Sequence, residues 1–399
     1  MARLTYISAF VLLSAAFYQL FLKDVLFVTL GIGRLVQPIE NFPYSCRRIE
    51  HERLAACEDI WLDDEARVLY AACTGIGHRM AWNAAMNRLN VSGRRPGGSE
   101  LMALDIDSPG ADGLFGMRSI QPAGYFGATG AGDETLDLVG FDVEVIDAST
   151  IQFYLINQRP PVDVERKYID PTKFGANVTV DVFDFKRGQR KMQHLRTVLS
   201  TEVWSPNRVA VIGDGAFVVS NDHSTKVGLR KQFDPIVGGG NVAYCSPTGV
   251  CHGATTINLK FPNGITKGKN GLIYVPSSVD GKIRVFELQT DKMLKHIDTI
   301  EVKMPIDNLA ADANGDLFVA AIPDMAKAMA TMENPYQKAS PSTIFRVRNT
   351  GHAYQVEKIL EDGEARVMSF VTTARHDAKT GRLFLSGVFS PYLVVCNPK

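Results

Sequence analysis

A strand–turn–strand unit recurs six times along this chain, and such recurrence leaves few folds open. Each copy is an apolar run, a turn rich in Asp, Asn or Gly, and a second apolar run. The first runs from Asp59-Ile60-Trp61-Leu62 to Val68-Leu69-Tyr70-Ala71, and the second from Val143-Glu144-Val145-Ile146 to Phe153-Tyr154-Leu155-Ile156. The third joins Val209-Ala210-Val211-Ile212 to Phe217-Val218-Val219-Ser220 through Gly213-Asp214-Gly215. The fourth begins at Ile265 and turns at Asn270-Gly271 into Leu272-Ile273-Tyr274-Val275. The fifth joins Leu309-Ala310-Ala311 to Leu317-Phe318-Val319 through Asn314-Gly315-Asp316. The sixth joins Phe370-Val371-Thr372 to Leu383-Phe384-Leu385 through Thr380-Gly381. These are hairpin signals between β-rich runs.

Most intervals hold one more hairpin, such as Ile283-Arg284-Val285-Phe286 after the fourth copy. Four strands in each of six repeats describe an all-β, six-bladed β-propeller. A pair of β-sandwiches would need a linker near the middle, and composition does not shift there. Helix is sparse. The best candidate outside the N-terminus is residues 324–332, where Met325, Met329 and Met332 read as packing residues. Trp61, Trp82 and Trp204 read the same way. Gly238-Gly239-Gly240 reads as a flexible loop, and Lys186-Arg187-Gly188-Gln189-Arg190-Lys191 as a solvated hairpin turn.

The N-terminus sets the compartment. Arg3 precedes the uncharged run 4–22, Lys23-Asp24 interrupt, and 25–32 is apolar again. Such a run suits an uncleaved signal-anchor helix, with a cleaved signal peptide as the alternative. We therefore expect a leader over 1–36, a propeller over 42–399, and a secretory protein that is membrane-anchored or secreted. Sequons at Asn90-Val91-Ser92 and Asn177-Val178-Thr179 mark glycosylation candidates. The six cysteines match no zinc spacing. Cys46 and Cys396 could staple the ends of the domain, and Cys245 and Cys251 could close a small loop. Cys57 and Cys73 read as buried thiols. Lys+Arg and Asp+Glu are both 43, so no basic excess points to nucleic acid.

Polar residues stand just before each repeated pair: Glu58-Asp59, Asp142, Pro206-Asn207-Arg208, Pro262-Asn263-Gly264, Asp307-Asn308 and Ser369. In a propeller the innermost strands line the channel, so their starts converge at one end of it. Glu58, Asn207, Asn263, Asp307 and Asn308 then form a ring of carboxylate and amide oxygens, without Cys or His. That donor set suits calcium rather than zinc.

These residues resemble the paraoxonase/arylesterase family of calcium-dependent lactonases. Cys57-Glu58-Asp59-Ile60, Ser220-Asn221-Asp222-His223, Phe261-Pro262-Asn263-Gly264-Ile265, Asp307-Asn308 before Gly315-Asp316-Leu317, and Glu333-Asn334-Pro335 carry the resemblance. It implies one catalytic calcium on Glu58, Asn207, Asn263, Asp307 and Asn308, and a terminal disulfide between Cys46 and Cys396. The family's second, structural calcium would use Asp59 and the position of Arg208. A guanidinium cannot ligate calcium, so Arg208 is expected to pair with Asp59 instead. The family's active-site histidines fall at Val139, Gln158 and Ile322 here.

The resulting expectation is an enzyme that hydrolyses small apolar esters or lactones, with Asp307, Asp222 or His223 as base. His78 is a further residue that could enter the channel mouth. One alternative is a non-hydrolytic cyclase, isomerase or cycloaddition enzyme acting on a polyketide- or terpenoid-like substrate. Another is a non-catalytic binding module. No Gly-x-Ser-x-Gly elbow, P-loop or His-Glu-x-x-His motif occurs.

Overall fold

The computed structural model describes residues 2–127 and 129–399. The fold is all-β and propeller-like. Four sheets have four strands each, and one has eight. The four-stranded sheets begin at the strands Pro206–Gly213, Thr266–Lys267, Ile306–Ala311 and Thr373–Asp377. The eight-stranded sheet contains two antiparallel quartets, beginning at Cys57–Asp63 and Leu138–Val145. Its outer strands Arg118–Ala123 and Lys191–Val198 meet in a short parallel pairing, Lys191 opposite Gln121.

The six leading strands pack against one another in a closed ring. Gly140 and Gly264 make this approach possible. A Cβ at Gly140 would overlap the Asn207 carbonyl, and one at Gly264 would overlap Asn308. Gly264 and Asn308 form a parallel bridge, with Leu309 N donating to Gly264 O at 3.2 Å.

Apolar clusters fill the spaces between neighbouring quartets. Tyr70, Phe141, Phe153 and Phe185 interlock in one, and Val218, Ile273, Val275 and Phe286 in another. Tyr70 and Phe153 meet edge to face with centroids 5.1 Å apart. The alternation of each strand supplies both faces: in Thr150–Arg159, Phe153 and Leu155 face one cluster while Tyr154 and Ile156 face the other.

The last quartet is completed from the other end of the chain. The strand Tyr44–Glu50 pairs antiparallel with Tyr392–Pro398, Cys46 opposite Cys396, and these two form a disulfide. Cys245 and Cys251 bond as well. Cys57 and Cys73 are not thiols but a third disulfide, because they face each other across the first hairpin.

Met325–Glu333 is helical, capped by Asp324. Leu229–Val237 is also helical, although Pro235 lies inside it and Leu229, Phe233 and Ile236 are exposed. That pattern hides a helix from a search for buried periodicity. The glycine triplet after it is not a free loop: Gly238 ends the helix and Gly240 bridges to Leu259. Lys186 and Lys191 close the hairpin between Asn177–Lys186 and Lys191–Val198.

In the leader, Ala2–Phe17 is a helix of 16 residues, followed by π-helical turns. Among the described residues no helix is long and apolar enough to cross a membrane. Phe10, Val11, Leu12, Leu13 and Phe17 are exposed. The end of this segment is tied to the sheets rather than separated from them. Thr29 Oγ1 donates to Val279 O at 2.8 Å, Arg34 Nη1 to Pro323 O at 2.6 Å, and Gln37 N to Glu361 Oε2 at 2.6 Å.

Candidate functional site

Four of the leading strands start irregularly. The register shifts between Cys57 and Asp59, between Leu138 and Phe141, between Pro206 and Val209, and between Ile306 and Leu309. A bulge breaks the alternation of side chains and re-aims them. Adjacent residues such as Asp307 and Asn308 can therefore both approach the channel.

Glu58, Asn207, Asn263, Asp307 and Asn308 are all buried. Two of the asparagine amides are also held by neighbouring hydroxyls. Asn263 Nδ2 donates to Ser278 Oγ at 2.7 Å, and Ser278 Oγ donates to Ile306 O at 2.9 Å. Asn308 Nδ2 donates to Thr373 Oγ1 at 2.8 Å, and Thr373 Oγ1 donates to Glu58 O at 3.0 Å. Glu58 Oε2 and Asn263 Oδ1 are left buried without any hydrogen-bond partner. Buried polar atoms are normally satisfied, so two orphaned oxygens in one ring call for an explanation.

Electrostatics give the same signal. Burial pushes Glu58 up to about 7; Arg79 opposes this and Asp59 adds to it. Burial and then the repulsion of Glu58 and Asp59 raise Asp307 well above the carboxylate range. Two buried acids, both raised, with unfilled oxygens beside them, suit a positive charge. Among the described residues no group of three or more His, Cys, Asp or Glu side chains is arranged to hold a metal. The ring's donors are two carboxylates and three amides, the hard-oxygen chemistry of calcium, and its residues fit that ion.

The neighbouring layer of the channel is neutralised from within. Arg208 Nε lies 2.8 Å from Asp59 Oδ2, and Arg208 Nη1 donates to Leu309 O. The Nε–H is not aimed along that line, so the contact is an ion pair rather than a hydrogen bond. Asp142 Oδ2 accepts from Val211 N at 2.9 Å, and Arg375 Nε donates to Ile60 O at 2.6 Å. Burial and then the nearby Arg208 lower Arg375 to about 10, against the pull of Asp59 and Asp142. Two guanidinium groups and two carboxylates share this layer.

Asp222 and His223 follow the strand Ala216–Asn221. His223 Nδ1 lies 2.7 Å from Asp222 Oδ1, which also accepts from Ser205 Oγ. His223 is buried, its ring edge-on to Phe261 at 4.7 Å, and Trp204 Nε1 donates to His223 O at 2.7 Å. Asp222 is held below the usual carboxylate range: burial would raise it, but His223, Lys231 and Ser205 outweigh burial. The dyad sits between the segments that carry Asn207 and Asn263.

Val139, Gln158 and His78 line a cleft beside this end of the channel, with Arg79 and Trp82. Gln158 Nε2 donates to Pro206 O at 2.8 Å, while its Oε1 is buried and unpartnered. His78 Nδ1 lies 3.0 Å from Gly93 O. Ile322 instead packs in an apolar cluster with Phe370 and Phe389. Arg79, Arg375, Lys226 and Lys231 are functional-looking residues that reading the sequence did not single out. No local motif marks them, because their burial is created by distant segments.

Both sequons can be placed. Asn90 is exposed, and Ser92 Oγ donates to its Oδ1 at 2.8 Å. Asn177 begins a strand, its Nδ2 donates to Thr129 O, and Thr179 is buried with its hydroxyl on Asp181.

The sequence model of the arylesterase family matches residues 171–385, more than half of the chain. The chain belongs to the arylesterase family. It is 29% identical over 179 residues to serum paraoxonase/arylesterase 1 of Mus musculus, covering 44% of this chain and 49% of that protein. It is 27% identical over 175 residues to serum paraoxonase/arylesterase 2 of Homo sapiens, covering 43% and 48%. The chain thus spans about half the length of these curated relatives, as a divergent member. Among solved structures, a luciferin-regenerating enzyme superposes with a TM-score of 0.50 at 9% identity, over 89% of this chain and 95% of that one, which bears on the fold alone. The family match takes in Asn207, Asp222, His223, Asn263, Asp307 and Asn308; Glu58 and Arg79 lie before it.

Proposed function

We propose that this protein is a calcium-dependent hydrolase of lactones or aryl esters on a six-bladed propeller. Glu58, Asn207, Asn263, Asp307 and Asn308 would hold the ion. The observation that carries this reading is the pair of orphaned oxygens, Glu58 Oε2 and Asn263 Oδ1, buried beside a second raised acid. Bound calcium supplies Lewis-acid polarisation of a carbonyl oxygen and offsets the negative charge that develops there.

The remaining work belongs to the chain. Asp222 fixes the His223 ring through Nδ1, leaving Nε2 to accept a proton from water. Ser205 and Trp204 hold that dyad in place. Asp307 serves as ligand and stands as the alternative base. Val139 and Trp82 give the cleft apolar walls, and Phe261 an apolar neighbour for His223, which suit a small apolar ester or lactone. Three disulfides suit an oxidising compartment, and we place the protein in the secretory pathway. The exposed apolar side chains of the leader would rest on a membrane surface. A glycan is proposed at Asn90.

A second reading keeps the fold and changes the reaction to a non-hydrolytic cyclisation or isomerisation. Val139 and Gln158, where the resemblance implies histidines, favour it. The deciding experiment assays a panel of aryl esters and aliphatic lactones with calcium and after chelation, with calcium affinity measured in parallel by calorimetry. Turnover lost on chelation, and both turnover and calcium affinity lost in Asn263→Ala and Asp307→Asn, supports hydrolysis. A folded, calcium-loaded protein that turns over none of the panel refutes it.

A further inference from the structure

The cleft beside the Glu58 end of the channel is small and opens to solvent, with a volume of about 10 Å³, room for about one water. Its wall includes Arg79, which is only 3% exposed. Arg79 Nη2 donates to Thr74 Oγ1 at 2.8 Å and to Leu138 O at 2.9 Å. Among the described residues its Nε is buried with no partner, its Nη1 makes no hydrogen bond, and Arg79 forms no ion pair. The other arginines on this wall are committed: Arg94 Nη2 lies 2.6 Å from Asp137 Oδ2, and Arg95 pairs with Glu100.

A buried guanidinium with unfilled donors is costly unless something completes it. Glu58 and Asp137 are the acids that act on Arg79. Asp137 is taken by Arg94. Glu58, on the proposed reading, is taken by calcium together with Asp307, and two carboxylates neutralise one divalent ion. Arg79 is then left, among the described residues, without an acid of its own.

The other side of Gln158 is also positive. A second small cleft shares Gln158 and is lined by Lys226 and Lys231. Lys226 Nζ donates to Ala176 O at 2.9 Å and Lys231 Nζ to Ala84 O at 2.7 Å, both neutral partners. The acids that act on Lys231 are occupied elsewhere: Asp222 by His223 and Ser205, and Asp234 by Ser224 and Arg230.

We propose that Arg79 contacts the substrate at the open mouth of this cleft and binds an anionic group on it, displacing water, so that this site selects esters or lactones bearing a carboxylate. A carboxylate is the planar acceptor that a guanidinium pairs with through two parallel hydrogen bonds. Gln158 stands beside the charge as a neutral residue that does not compete for it. The inference rests on the hydrolase reading for its reaction, but the anion subsite can be tested apart from turnover.

Two measurements on the calcium-loaded full chain test it. The first compares kcat/KM for the 4-nitrophenyl half-ester of glutaric acid with that for neutral 4-nitrophenyl pentanoate. The second compares binding of benzoate and neutral benzamide by calorimetry. We expect at least a tenfold preference for the anion in each, lost in Arg79→Gln and partly kept in Arg79→Lys. If Arg79→Gln does not fold, Gln158→Glu decides: a carboxylate placed in the cleft should abolish the preference.

Equal treatment of charged and neutral probes by the wild type overturns the proposal. So does an Arg79→Gln variant that weakens both probes alike, since a purely structural arginine would do that. If neither ester is hydrolysed but the benzoate preference exists and needs Arg79, the hydrolase reading fails and the anion subsite stands. If both esters are hydrolysed without preference, the hydrolase reading stands and the subsite fails.

Discussion

Replacing Cys46 and Cys396 together by alanine should cost the protein more stability than removing either other disulfide. The argument lies in the unfolded chain. A cross-link limits the denatured ensemble by an amount that grows with the logarithm of the loop it closes. The three bonds close separations of 350, 16 and 6 residues. The chain-entropy relation gives about 6, 3 and 2 kcal/mol at 25 °C. Each pair joins neighbouring strands in register, so loss of local packing is similar and the difference reports loop length. The Cys46–Cys396 bond also fastens the strand Tyr44–Glu50, which completes the last sheet from the far end of the chain. With an unfolding entropy of roughly 2 cal/mol/K per residue, about 6 kcal/mol corresponds to a Tm drop on the order of 7 °C. Equilibrium denaturation of the three double variants, compared by midpoint and slope, measures the order. If the Cys46/Cys396 variant loses no more than the Cys245/Cys251 variant, the unfolded-state account is wrong. The closing strand would then be held by its ladder and side chains alone.

Glu58 and Asp307 are both raised by burial and by Asp59, so the metal-free protein should lose stability as pH rises from about 4.3, the unfolded glutamate value, to about 7, where folded Glu58 titrates. Calcium should therefore raise Tm more at pH 8 than at pH 5, and an equal effect at both would refute the charge argument. The Arg208–Asp59 pair occupies the next layer, so calorimetry should find one calcium per chain, and Arg208→Ala should destabilise by about 3–5 kcal/mol by leaving a buried carboxylate unpaired; two ions per chain would contradict this. His223→Asn should cut kcat/KM by about 10²–10⁴ with calcium affinity unchanged, and activity within tenfold of wild type would place the base elsewhere. Mass spectrometry of secreted protein should find a glycan on Asn90, which is exposed, and none on Asn177, whose amide is engaged; a glycan on Asn177 would refute the accessibility argument.

The architecture was legible because it is local and repeated. Each hairpin announces itself by alternation and a turn, as Val209–Ile212 and Phe217–Ser220 do around Gly213-Asp214-Gly215. The starts of the leading strands could be read as one set for the same reason. What could not be read depends on contacts between distant segments. Cys57 and Cys73 look like isolated thiols until the hairpin register brings them opposite each other. Arg79 looks like an ordinary helix residue, and only the approach of Leu138 and Thr74 buries it. The helix Leu229–Val237 has apolar residues at helical spacing, but Pro235 inside so short a segment masks the signal. The leader over 1–36 reads as a signal-anchor or signal peptide, yet Arg34 near its end and Gln37 just beyond it bond to Pro323 and Glu361.

The channel solves one electrostatic problem in two ways. Asp59 raises both Glu58 and Asp307, and Arg208 lowers both. The arginine therefore acts on two layers: it balances Asp59 directly and weakens the repulsion felt by the oxygen ring. It cannot complete that ring, because Glu58 Oε2 and Asn263 Oδ1 still lack partners with Arg208 in place. One layer is neutral without help from outside and the other is not. A chain that needed charge only to close its propeller could have placed a second arginine in the upper ring as it did below. On the proposed reading, keeping two acids and three amides there leaves the positive charge to an exchangeable ion, which would also meet a substrate. This asymmetry is the physical argument for assigning catalysis to the upper layer and closure of the fold to the lower.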